Sequence, residues 1–176
     1  TKDEKPMKQA LANARMDLIL FHHRMPTSTE NTIGTTHPIF VSNKELAFDY
    51  YIMHNGIITN HMYLKNKHEK RGYEYTTEFI EKKYYVYNSG EKEYVEAGIS
   101  KYNDSEALAI ELARFMENKS GDVETYGAAA FMGIKVVKGT KQVADVFYGQ
   151  NYGRSLKQAE SNKWFVVSSE TGQDVE

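Results

Sequence analysis

The run AFDYYIMHNGII, residues 47–58, sets an apolar stretch directly in front of His54, Asn55 and Gly56. Ala47 to Met53 reads as a buried strand. Asn-Gly after such a strand predicts a tight turn whose backbone can approach a ligand closely. The Asn side-chain amide beside a Gly N–H also supplies two donors that can converge on one oxygen, the construction of an oxyanion hole. A plain turn uses the same two residues, so the pair alone does not choose between structure and chemistry.

Outward from this run, strands and helices alternate. Asn60 is placed as the N-cap of a helix reaching about Arg71, with Gly72 as its terminator. Lys82 to Ala97 predicts a hairpin around Asn88, Ser89 and Gly90. Asn103-Asp104-Ser105-Glu106 has the form of a capping box opening the helix ALAIELARFMEN. Three strands follow, Gly127 to Val137, Gln142 to Tyr148 and Lys163 to Ser168, the first two joined by a turn at Lys138-Gly139-Thr140-Lys141. Upstream, Pro6 to Met16 predicts a short helix, Asp17 to Phe21 (DLILF) a buried strand, and Met25 to Pro38 a loop. No repeat or low-complexity linker interrupts the chain, and 176 residues fit one domain. Interleaved strands and helices with hairpins favour an α+β layered fold over a doubly wound parallel sheet.

Composition removes several classes. A net charge of −2 speaks against life on nucleic acid, which needs a basic face. No apolar run approaches the ~20 residues that span a bilayer. With no cysteine among the residues, neither a disulfide framework nor a thiolate zinc site can form. The adjacent His22 and His23 suggest a metal, but neighbours on a strand point to opposite faces, so no metal is expected.

Arg24 closes the run FHHR after the first apolar strand. An arginine there needs an anion, and its planar fork suits a carboxylate held by two bonds. Thr27 and Ser28 can add hydroxyl donors, although a local Asp or Glu would serve Arg24 equally well. Asp104, near a helix start, is by itself only a favourable charge for the helix dipole.

Together these segments are more specific than any one of them. His22, Arg24 and Thr27, then His37-Pro38, then His54-Asn55-Gly56-Ile57-Ile58, Gly72-Tyr73 and Asp104-Ser105-Glu106 stand in the order of a known pattern. Tyr126-Gly127-Ala128-Ala129 and Phe165 to Glu170 continue it. The chain resembles class II glutamine amidotransferase domains, N-terminal nucleophile hydrolases of the glucosamine-6-phosphate synthase type, over nearly its whole length. The resemblance implies a four-layer αββα sandwich of two antiparallel sheets, incomplete here at both ends, with residues 79–102 as an inserted hairpin. It implies a cytoplasmic glutaminase that hydrolyses glutamine, without a cofactor, and delivers ammonia to an acceptor on another domain or subunit, in an oligomer or larger assembly. Arg24 and Thr27 then hold the substrate α-carboxylate, Asp104 its α-ammonium, and Asn55 and Gly56 the oxyanion. His37 and His54 order loops through hydrogen bonds. Met25 and Ser28 stand where the synthase pattern has Trp and His, which alters the pocket wall.

The nucleophile of that family is an N-terminal cysteine whose own α-amine is the base. Thr1 is not a substitute, because it precedes a polar stretch and a helix, TKDEKPMKQALANARM, rather than opening a buried strand. Activity is therefore expected only with a cysteine upstream of Thr1. The alternatives are an inactive protein of the same fold used for binding or assembly, and an unrelated α+β binding protein.

Overall fold

The computed structural model describes residues 18, 20, 22, 36–81, 84–88, 91–95, 99–160, 162 and 165–169. In chain order the elements are β1 (Ile39–Val41), β2 (Phe48–Ile58), α1 (His61–Glu69), β3 (Phe79–Glu81), β4 (Tyr84–Asn88), β5 (Glu91–Val95), β6 (Ile99–Lys101), α2 (Ser105–Met116), β7 (Gly127–Val137), β8 (Val143–Gln150), β9 (Lys157–Glu160) and β10 (Phe165–Ser168). The architecture is α+β, with antiparallel pairing throughout the described strands.

The central sheet has the order β1-β2-β7-β8. Side chains alternate along β2, so Tyr50, Ile52 and Ile58 turn to one face and join the core. There they meet Ile39 and Val41 of β1 and the helical residues Leu64, Leu108, Ile110 and Leu112. α2 packs on β1 and β2, and α1 on α2. Residues Ser105 to Arg114 of α2 are all buried, which small Ala and Ser among the larger apolar residues permit.

Most polar groups that this burial traps are paired, the Arg114 Nε being an exception. Glu106, 1% exposed, accepts hydrogen bonds from the backbone N–H and the hydroxyl of both Thr76 and Thr77, at 2.6–3.0 Å. Glu111 meets His68 Nε2 at 2.8 Å, and His68 Nδ1 lies 3.0 Å from the Tyr75 hydroxyl.

The opposite face of the sheet is apolar too. Phe40 packs on Tyr51, which pairs with Ile134 and through it with Val146; Met53 pairs with Met132 and Met132 with Tyr148. Phe40, Val146 and Tyr148 remain exposed, and Phe165 of the β9–β10 ribbon stands against Tyr148 with ring centroids 6.0 Å apart.

Several elements differ from the sequence reading. The Asn-Gly turn does not form: β2 runs on through Asn55 and Gly56 to Ile58 and pairs residue for residue with β7 down to Ile58↔Gly127. The β-branched Ile57 and Ile58 extend the strand, and the small Ala128, Ala129 and Ala130 opposite leave room for it. The capping box is also absent. Glu106 reaches Thr76 and Thr77 instead of the Asn103 N–H, which donates to Thr77 Oγ1 at 2.9 Å, while Asn103 Oδ1 accepts from Ser105 N. Asn60 does precede α1, but its side chain bonds Tyr126 N and Glu124 O rather than capping the helix. β8 is shifted two residues toward the C-terminus at its far end, and β9 was not foreseen, since its polar KQAE lacks an apolar alternation. Gly72 ends the α1 region with φ +80°, and β4 and β5 pair around the expected Asn88. The helix expected at Pro6 to Met16, and Arg24 and Thr27, lie outside the described residues, as does the Asp17 to Phe21 strand apart from Leu18 and Leu20.

Candidate functional site

Hydrogen-bond alternation along β2 shapes its C-terminal end. In an antiparallel ladder, facing residues either exchange both backbone bonds or exchange none. Thr59 N donates to Tyr126 O at 2.8 Å and continues the β2–β7 register, so the odd-numbered residues of β2 bond to β7. The even-numbered ones turn the other way, toward the edge that β1 lines only as far as Ile52. On that edge His54 N donates to His37 Nδ1 at 3.0 Å, and Ile58 N donates to Asp104 Oδ2 at 2.7 Å. The Gly56 N–H is turned to the same edge, between these two. Asn55 lies on the opposite face of the strand, where its Nδ2 donates to Ser169 Oγ at 3.0 Å. An amide carries two protons, so this bond leaves Asn55 a second one to offer.

Only glycine fits at position 56. Its φ is +151°, and a Cβ there would lie 1.8 Å from the Ala128 carbonyl oxygen and 2.8 Å from His54 Nε2. Gly127, with φ +123°, is as tightly set: its Cβ would meet the Ile57 carbonyl oxygen at 2.0 Å. The ends of β2 and β7 therefore approach through two glycines.

His54 locks this corner to α2. Its Nδ1 lies 2.9 Å from Ser105 Oγ, and its Nε2 lies 3.4 Å from Ala128 O. A carbonyl can only accept, so the geometry favours the proton on Nε2 and a Ser105 hydroxyl donating to Nδ1. The His37 tautomer follows likewise, since its Nδ1 receives a backbone N–H. His37 also stacks on His22, with centroids 4.2 Å apart. Both histidines thus hold loops and strands in place, the role expected of His37 and His54.

Burial lowers the His54 pKa, with smaller contributions from the charges of His22 and Arg154, while Asp104 pulls the other way. The native protein thus keeps His54 neutral to a lower pH than the unfolded chain does. Stability is complete above the ordinary histidine value of 6.5 and falls as the pH drops below it. The loss is at most about 1.4 kcal/mol per pH unit for this one group. Glu111 is also held below its ordinary 4.5, opposed by burial but favoured by His68, so its contribution is lost only at lower pH. Urea unfolding at pH 7.5 and 5.5 should show the His54 slope, and His54→Gln should flatten it. An unchanged slope in the variant would refute this assignment.

A cleft of about 350 Å³ adjoins the Asn55 side of the corner. It is lined by the loop from Gln150 to Ser155 and by Ser169, the partner of Asn55. Asn151 pins that loop to the start of β7: its Oδ1 accepts from Ala129 N and Gly153 N, and its Nδ2 donates to Gly127 O.

The structure thus gathers Asn55, Gly56 and Asp104 at one end of β2, while Arg24 and Thr27 lie outside the described residues. Sequence reasoning assigned no role to Ser105, Asn151, Arg154 or Ser169. Asn151-Tyr152-Gly153 carries a turn signal that could have marked the loop. Nothing in the sequence signals the contact of Ser169 with a residue 114 positions away. Compared with known proteins, the chain matches no family model, no curated protein and no solved structure.

Proposed function

We propose that this chain forms the glutamine-binding part of a class II glutamine amidotransferase domain. The observation that carries the reading is the end of β2, where the Gly56 N–H lies one alternation step from the N–H that holds the Asp104 carboxylate. Two strand residues span about 7 Å. Over that distance the strand offers a donor for a carbonyl oxygen and an anion for an ammonium group, the two ends of a glutamine. Asn55 has a second amide proton to offer as a further donor.

In this reading Arg24 and Thr27 hold the α-carboxylate, Asp104 the α-ammonium, and Asn55 with Gly56 the oxyanion that forms when a thiolate attacks the side-chain amide. Collapse of that intermediate releases ammonia to an acceptor outside these residues. The attacking cysteine comes from a strand upstream of Thr1. That strand belongs to the sheet of Asp17 to Phe21, and a second sheet covers the apolar face of Phe40, Tyr51, Met132 and Tyr148, which completes a four-layer αββα sandwich in a cytoplasmic enzyme. Two stacked sheets bury such faces against each other, and a sheet apolar on both sides favours a covering layer. A second reading is an inactive binding protein of the same fold, which a residue other than cysteine at the natural N-terminus would support.

Calorimetric titration of the whole chain with glutamine tests the proposal, because binding needs no nucleophile. Saturable binding is expected. Asp104→Ala should weaken it about ten- to a hundredfold, the effect of one lost charge-assisted contact. Asn55→Ala should leave affinity nearly unchanged and, in a longer chain that begins with cysteine, lower turnover about a hundred- to a thousandfold. No binding by the unaltered chain, or equal binding by Asp104→Ala, defeats the reading. A residue other than cysteine at the natural N-terminus would select the inactive form.

A further inference from the structure

We propose that the cleft between the 150–155 loop and Ser169 is a phosphate-binding site, with the Arg154 guanidinium as counter-ion. It takes the phosphate group of a small phosphorylated molecule, and it is lined by other side chains than the proposed glutamine site, which it adjoins through the Asn55–Ser169 bond.

The chemistry of the lining points to an anion. Gln150, Arg154, Ser155 and Ser169, all of which carry donors, line the cleft, and no Asp or Glu lines it among the described residues. Arg154 has no carboxylate within ion-pairing distance among the described residues, whereas the buried Arg114 is paired with Glu45. The Gln150 Oε1 is already occupied by Leu156 N, which leaves the NH₂ of its amide to donate. Ser169 Oγ accepts from Asn55, which leaves its own proton to donate. In the loop, Gly153 N and Arg154 N are both bonded to Asn151, but the Ser155 N–H between Arg154 and Leu156 meets no acceptor among the described residues. A guanidinium fork, an amide, two hydroxyls and a backbone N–H make more donors than the two oxygens of one carboxylate use. The three terminal oxygens of a phosphate ester match them better.

The loop is built to keep these donors in place. Asn151 joins it to β7 through both side-chain atoms and through its N–H to Ala129 O at 2.9 Å. Gly153 lies against Ala128 so closely that a Cβ would stand 2.6 Å from the Ala128 Cβ. A loop fixed by its own hydrogen bonds loses little freedom when a ligand arrives. A volume of about 350 Å³ is at the small end of pockets for organic ligands and leaves room beyond the phosphate itself.

The test is two-dimensional NMR of the isotopically labelled whole chain, titrated with inorganic phosphate at constant ionic strength. Saturable shifts are expected at the amides of residues 153–156. Arg154→Ala should weaken the binding about ten- to a hundredfold, and Arg154→Lys should recover part of it, with the spectrum elsewhere unchanged in both. Shifts that never saturate, or that persist at equal strength in Arg154→Ala, overturn the site. Acetate in place of phosphate should bind more weakly; equal binding would make the group a carboxylate and overturn the phosphate assignment. Glutamine added to the phosphate-saturated chain should leave these shifts in place. Displacement by glutamine would make the cleft part of the amino-acid pocket and overturn its separateness, whereas a chain that ignores glutamine but binds phosphate leaves this site standing without the glutaminase reading.

Discussion

Gly56→Ala is expected to destabilise the fold by about 3–5 kcal/mol, from a backbone conformation that L side chains avoid and a methyl group forced into a filled space. The Cβ would stand 1.8 Å from Ala128 O, a backbone atom fixed near the end of the β2–β7 pairing, so relief requires the strand ends to part. The neighbouring contact is with His54 Nε2 at 2.8 Å, and shifting that ring strains its bond to Ser105. The strand end that carries Asn55 and the Ile58–Asp104 bond is therefore lost with the stability. Urea unfolding should show a lowered midpoint with an unchanged slope. Gly121→Ala is the control: nothing lies within 4 Å of that Cβ, and its effect should stay within about 0.5 kcal/mol. Similar midpoints for the two variants would mean that β2 and β7 are not paired as described.

Glu106→Ala should cost a similar amount, about 3–5 kcal/mol, for a different reason. Its carboxylate is the acceptor for four donors on Thr76 and Thr77, and the residue is 1% exposed. Truncation leaves the buried Thr77 N–H and the partly buried Thr76 N–H without an acceptor. The damage should spread, because Thr77 Oγ1 in turn accepts from Asn103 N, immediately before Asp104. Glu106→Gln keeps one acceptor oxygen and the shape, and should cost about half as much. Loss of hydrogen-exchange protection at Thr76, Thr77 and Asn103 before the rest of the core would locate the effect. A Glu106→Ala protein as stable as the parent would show that the four bonds are not the ones that matter.

How far the sequence could be read depended on the range of each interaction. Gly127 to Val137 was bounded correctly as a strand because an apolar run between a glycine and a Lys-Gly turn is a local signal. Gly72 was legible as a terminator because a positive φ after a helix has few candidates. Asn55-Gly56 misled because the same dipeptide serves a turn and an extended corner, and the choice is made by Ala128 to Ala130 on another strand. Glu106 stands three residues after Asn103, which satisfies the capping pattern, yet two threonines brought close by the 73–78 segment compete for it and win. Within the candidate site, the residue types at Asn55, Gly56 and Asp104 were readable. What binds them into one corner, Ile58 N with Asp104 and Asn55 with Ser169, is visible only in three dimensions.

β1 covers three residues of a strand eleven residues long. A backbone has a fixed number of partners to find, and a neighbour that stops early leaves the longer strand with unspent valence. Two of the openings on that edge are taken by side chains, His37 at one and Asp104 at the other. Among the described residues none takes the one between them, at Gly56. Lengthening β1 by a few residues would turn this corner into ordinary sheet, and the proposed glutamine site would close without the loss of a single polar side chain.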